Sequence, residues 1–215
     1  MATSVLTTSG MAPEREKLHW TLDANPRIRL PEWLIIMSDF LKFYDLESYL
    51  FGEVGPRFRA NGVIEPTDFF MILIWKANRA KTKTHKKLSN RANGCFNSAV
   101  KDIAKRLYAE PDSKAKLRIL MRDYDLFIPT ASAILTVLYP EEFTVYDQRV
   151  CKQARIPYQP SRKFGDELWK EYQRLKAGVT NAAPANLCLR DKDRYLFGKS
   201  VREDAERDSQ KAVAN

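Results

Sequence analysis

DLFIPTASAILTVLYPEEFTVYDQRV, residues 125–150, reads as two short helices joined by a turn. Pro129 suits the first turn of a helix, where its missing N–H has no intrahelical partner. Ile128, Ala131, Ile134, Leu135 and Leu138 recur at helical spacing, and the small Ala131, Ser132 and Ala133 permit a close neighbour. This spacing predicts a buried helix that stops near Tyr139, because Pro140 disfavours the helical conformation in the residue before it. Pro140, Glu141 and Glu142 then begin a new turn. Thr144 is placed to cap a second helix through Arg149, Val150 and Gln153, and Asp147 falls in the first turn of that helix. An acid there has two readings: a cap and dipole partner, or a functional carboxylate.

Outward from this stretch the same period recurs. Trp33, Met37, Phe40, Leu41 and Tyr44 form one stripe, Phe96, Val100, Ile103 and Leu107 another, Leu117, Leu120, Met121 and Tyr124 a third, and Phe164, Leu168, Tyr172 and Leu175 a fourth. Each is expected to face a core. FFMILIW at 69–75 is apolar throughout and fits a strand by period alone, but Pro66, Thr67 and Asp68 ahead of it make a helix start, so it is assigned as a buried helix. Nothing alternates with period two, so the fold class is all-α, with turns at 52–62 and 156–160. Residues 1–12 are small and polar and are expected to be a disordered N-terminus; 13–201 form a single domain, and 202–215 a polar C-terminal tail.

The chain has 215 residues, 36 Lys and Arg against 27 Asp and Glu, and a net charge of +9. That balance favours polyanionic partners. Three widely spaced cysteines, Cys95, Cys151 and Cys188, suggest neither a disulfide framework nor a metal site, and reduced intracellular thiols are the simpler reading. No apolar run reaches the length of a membrane span and no secretory leader is evident, so the expected location is cytoplasmic (nucleoid-associated) or nuclear, with no membrane partner. The strongest charge feature is Lys76, Arg79, Lys81, Lys83, Lys86, Lys87 and Arg91, a run with no acid among them. It is either a phosphate-contacting surface or a solvated helix face. Trp75, beside it, is either a base-stacking group or core. With His19 and His85 the only histidines, neither a His triad nor a zinc site is indicated.

IPTASAIL followed by FTVYDQRV resembles the helix-hairpin-helix DNA glycosylase superfamily, in which a Gly-Val-Gly hairpin opens an Ala-rich helix and a catalytic Asp starts the next. A subgroup with a Trp-Lys pair, here Trp75 and Lys76, and an LRDxDRxL stretch, here residues 189–196, is the most similar. The resemblance covers most of residues 30–200 and implies two packed helical lobes with Asp147 as the catalytic acid. Pro129 stands 18 positions before Asp147, a separation the resemblance leads one to expect. Two departures accompany it. Asp125, Leu126 and Phe127 replace the hairpin glycines that bring backbone amides to a phosphate. Pro129 occupies the place of a Schiff-base lysine, which excludes lyase chemistry through that position.

The resemblance thus implies a monofunctional enzyme needing no cofactor or metal, acting as a monomer on double-stranded DNA. A carboxylate at Asp147 would stabilise the sugar cation that forms as a base departs, and would orient the attacking water. The target nucleotide must leave the stack, so a pocket is required. Its candidate lining is Trp75, Lys76, Tyr146, Arg190, Asp193 and Arg194. The last three also read as intrahelical ion pairs, Arg190 with Asp193 and Asp191 with Arg194. Arg79, Lys81, Lys83, Lys86, Lys87, Arg91 and Arg149 are the candidate nucleic-acid contacts. Two alternatives stand beside the enzyme: a nucleic-acid-binding protein of the same fold without catalysis, and a helical protein-interaction module.

Overall fold

The computed structural model describes residues 40–213, with side chains through Gln210; the expectations for residues 1–12, for His19 and for Trp33 and Met37 lie outside the described residues. Helix α1 (Leu46–Tyr49) widens into a π-helical turn (Leu50–Val54) and continues as α2 (Gly55–Asn61). Then come α3 (Pro66–Ala77), α4 (Lys81–Arg91), α5 (Phe96–Ala109) and α6 (Ser113–Arg118), the last running into a second π-helical turn (Ile119–Asp123). They are followed by α7 (Ile128–Leu138), α8 (Gln148–Gln153), α9 (Asp166–Ala182) and α10 (Leu189–Val213). No strand occurs among the described residues, and the all-α expectation holds.

Helix α7 is the central element. Its small and branched residues are buried on every side, including Ser132 and Thr136, and α3 packs along it. Pro129 lies in its first turn, and it ends at Leu138, ahead of Pro140. The apolar run at 69–75 is helical, with Phe69, Ile72 and Leu73 buried. The stripes on α5 and α9 enter one continuous core with Leu117, Leu120 and Tyr124.

Two local expectations are corrected, and one segment gains structure. Residues 52–61 are helical, not a turn: a Cβ at Gly55 would lie 2.4 Å from the Val137 carbonyl oxygen, so this glycine permits a close helix crossing, while only Gly62, at φ 72°, ends the helix. Phe40, Leu41 and Tyr44 are exposed, because the helical period breaks into turns at residues 42–44. The polar segment from Arg202 continues α10 to Val213, supported by pairs one turn apart such as Arg202–Glu206 and Arg207–Asp204.

Candidate functional site

Between α7 and α8 the chain runs without helical or strand structure from Phe143 to Asp147 through the core, its amides paired with side chains from three helices. The Thr144 N–H donates to the Tyr172 hydroxyl on α9 at 3.0 Å, and that hydroxyl donates back to the Thr144 carbonyl at 2.6 Å. The Val145 N–H reaches the Asp193 carboxylate on α10 at 3.2 Å, and the Tyr146 N–H reaches Ser132 Oγ on α7 at 2.9 Å. These bonds satisfy buried amides and fix where α8 begins. Asp147 is the N-cap residue of α8, not a first-turn residue, and its Oδ1 accepts the Arg149 N–H at 2.9 Å. Thr144 does not cap this helix, and its buried hydroxyl has no hydrogen-bond partner among the described residues.

Oδ2 of Asp147 meets Lys76 Nζ, from the last turn of α3, at 2.7 Å. The Lys76 side chain is 12% exposed and that of Asp147 24%. Both line a cavity of about 390 Å³ with Glu47, Trp75, Val145, Val150, Arg190, Asp193, Arg194, Phe197 and Gly198. Five of the six expected lining residues are therefore brought together. Tyr146 is not among them: Val145 and Asp147 line the cavity, while the Tyr146 ring is fully buried and stacks on Tyr158. The Tyr146 hydroxyl lies among Pro157 O, Glu171 and the Gln159 N–H.

Arg190 builds one wall. Its guanidinium lies 4.5 Å from the Phe51 ring centroid and 5.3 Å from that of Trp75, and it donates to Asp193 at 2.7 Å and Glu47 at 2.9 Å. Arg194 meets the same Glu47 oxygen at 2.8 Å and pairs with Asp191 at 3.1 Å. The intrahelical pairs expected from the sequence exist, and they form the cavity wall as well. Asp193 is almost fully buried, and desolvation raises its pKa, opposed by Arg190 and the Val145 amide. Burial, reinforced by the charge of Asp147, pushes the Cys151 thiol up to about 12 and also raises the Tyr158 phenol.

Glu47, Val145, Val150, Phe197 and Gly198 were not among the expected lining residues. Of these only Gly198 carries a sequence signal, since glycine inside a helix costs about 1 kcal/mol relative to alanine and invites a functional reason.

The basic run divides. Lys76 belongs to the cavity, whereas Lys87 and Arg91 on α4 turn to the loop before α7: Lys87 Nζ is 2.6 Å from the Asp125 carboxylate and Arg91 3.9 Å. Lys81 is tied back to Asn78. Arg79, Lys83 and Lys86 are exposed, and their side chains make no hydrogen bond or ion pair among the described residues. Arg149 is held by Asp204 and the Ser200 carbonyl on α10, so it serves the α8–α10 contact. His85 packs against the rings of Phe70 and Phe96. No cluster of His, Cys, Asp or Glu suited to a metal occurs among the described residues, and none of the described helices is long and apolar enough to cross a membrane.

The carboxylate of Asp147 thus stands at a cavity with an apolar wall, one oxygen fixed by a backbone amide and the other by an ammonium. Such a group can stabilise a developing positive charge and hold a water molecule in line. Compared with family models, curated proteins and solved structures, the chain matches none.

Proposed function

We propose that this chain is a helix-hairpin-helix glycosylase-like protein that excises bases from DNA by hydrolysing the N-glycosidic bond, with Asp147 as the essential carboxylate. The observation that carries this reading is the placement of Asp147, oriented through both oxygens, at a cavity of about 390 Å³ walled by Trp75, Val145, Val150 and Phe197. As the base departs with the bonding electrons, positive charge builds on the sugar, and the fixed carboxylate opposes it. Water adds to the anomeric carbon, its proton is lost to Asp147 or solvent, and the departing base is protonated in turn. Lys76 orients the carboxylate, and Arg190, held by Asp193 and Glu47, supplies donors to the wall.

A second reading draws on the same pair. Both carboxylate oxygens are already engaged, which also suits a protein of this kind that binds DNA without turnover. The test is release of base from duplexes carrying single oxidised, alkylated or deaminated bases, read as abasic sites cleaved by alkali. Turnover lost in Asp147→Asn, with duplex affinity kept, supports the enzyme. Activity unaltered by the substitution removes Asp147 from the mechanism, and binding without base release by the wild type selects the second reading.

A further inference from the structure

The loop before α7 lacks the glycines of a phosphate-gripping hairpin, yet it is tightly built. Asp125 adopts the left-handed conformation at φ 53°, which aspartate tolerates better than most residues. Leu126 is buried, and its N–H is bonded to the Leu120 carbonyl at 3.0 Å. The carbonyl of Phe127 accepts the Thr130 and Ala131 amides, both at 3.0 Å, so its backbone is locked into the start of α7. Phe127, between these fixed points, is 53% exposed as a residue. Lys87 Nζ lies 5.4 Å from its ring centroid.

Lys83, Lys87 and Arg91 are four residues apart on α4 and share one face, rising about 5.4 Å per turn. The end of this face nearest the loop is committed to Asp123 and Asp125, through the Arg91 bond to the Asp123 carbonyl and the two ion pairs of Asp125. Lys83, with neighbouring Lys86 and Arg79, is uncompensated among the described residues. A rigidly held, exposed aromatic ring beside a line of cations provides a π-face for a base and charge for the adjoining phosphates.

The geometry points to Phe127 as a stacking platform for an unpaired base of a nucleic-acid strand whose phosphates follow Lys83, Lys86 and Arg79. The surface takes over by stacking the role that a glycine hairpin performs with backbone amides. It rests on the reading of the protein as a nucleic-acid binder, and not on turnover at Asp147.

The test uses the full chain, with fluorescence anisotropy of labelled oligothymidylate and of a duplex of equal length. Phe127→Ala is expected to weaken oligothymidylate binding roughly ten-fold while leaving the salt dependence unchanged, because stacking releases no counterions. Phe127→Trp restores affinity and reports contact by quenching of its indole fluorescence. Lys83→Ala with Lys86→Ala instead lowers the slope of log affinity against log salt by about 1.4 on single strands. Phe127 is exposed, so the variants should keep the wild-type melting temperature. Affinity of Phe127→Ala equal to wild type, with Lys83→Ala/Lys86→Ala weakened, overturns the platform and leaves a purely electrostatic surface. Failure of the wild type to bind either oligonucleotide at low salt overturns both this inference and the glycosylase reading. Binding sensitive to Phe127 without base release upholds the platform and removes only the enzymatic claim.

Discussion

The ion pair between Lys76 and Asp147 sets up a thermodynamic cycle that separates charge from capping. At 2.7 Å and an effective dielectric constant near 20, the attraction is about 6 kcal/mol, against a desolvation cost of several kcal/mol for each ion. Breaking a fully buried pair costs roughly 3–5 kcal/mol, and water at the 24% exposed Asp147 reduces that to about 1–2 kcal/mol. Asparagine caps a helix as well as aspartate does, so Asp147→Asn keeps the Arg149 amide bond and removes only the charge. Asp147→Ala loses the cap too, and is expected to cost about 1 kcal/mol more. Urea unfolding of wild type, Asp147→Asn, Lys76→Met and the double variant should give a coupling of about 1 kcal/mol or more, with Tm shifts of about 2–4 °C per kcal/mol. Additivity of the two substitutions within about 0.3 kcal/mol would refute the argument, since the pair would then not interact in the folded chain. Equal stability of the Asn and Ala variants would refute the cap.

A Cβ at Gly198 would meet nothing within 4 Å, so Gly198→Ala is expected to stabilise α10 by about 0.5–1 kcal/mol in thermal melts. On the proposed glycosylase reading, Gly198→Phe fills part of the cavity and is expected to abolish base release; turnover retained by a folded variant would place the reaction elsewhere. Tyr49, Tyr124 and Tyr139 are each raised to about 12, chiefly by burial. Their folded values lie above the unfolded value of about 10, so the stability they contribute is complete below that pH and lost as pH rises through 12; phenolate absorbance should appear late in the native chain and at once in urea. Alkylation with iodoacetamide at neutral pH, followed by mass spectrometry, should modify exposed Cys95 before buried Cys151. The Ser98 hydrogen bonds lower the thiol of Cys95, whereas burial raises that of Cys151 to about 12.

The helices with one apolar stripe were legible in the sequence because a single partner surface fixes their period. Val100, Ile103 and Leu107 on α5 and Leu168, Tyr172 and Leu175 on α9 are such cases, and all are buried. For α3 the period was uninformative, and Pro66 with Asp68 supplied the helix start instead. The segment at 52–62 misleads because its glycines mean different things. Gly62 ends a helix through its own backbone angle, while Gly55 answers to Val137, a carbonyl 82 positions away whose approach no local pattern records. Asp147 and Lys76 could be proposed together only through the resemblance, because their contact spans 71 positions. The burial of Tyr146 away from the cavity depends on partners at Pro157, Gln159 and Glu171, which no local pattern at 143–147 reveals.

The segment at 189–196 shows why structural and functional readings of a charge cluster need not compete. Asp193 holds the Val145 amide and thereby the stretch that ends at Asp147; the same carboxylate holds Arg190 against Phe51 and Trp75. Removing Asp193 would free the Val145 amide and leave Arg190 with Glu47 as its one carboxylate partner among the described residues, so a functional defect in that variant could not distinguish a cavity contact from a misplaced helix start. Arg194 differs: it is exposed, its partners are Glu47 and Asp191, and it reaches no backbone amide of the 143–147 stretch. An effect of Arg194→Gln on nucleic-acid affinity at unchanged stability therefore reports on the cavity itself. Helix α10 holds the Asp147 segment from behind with Asp193 and presents Arg194 to whatever enters in front.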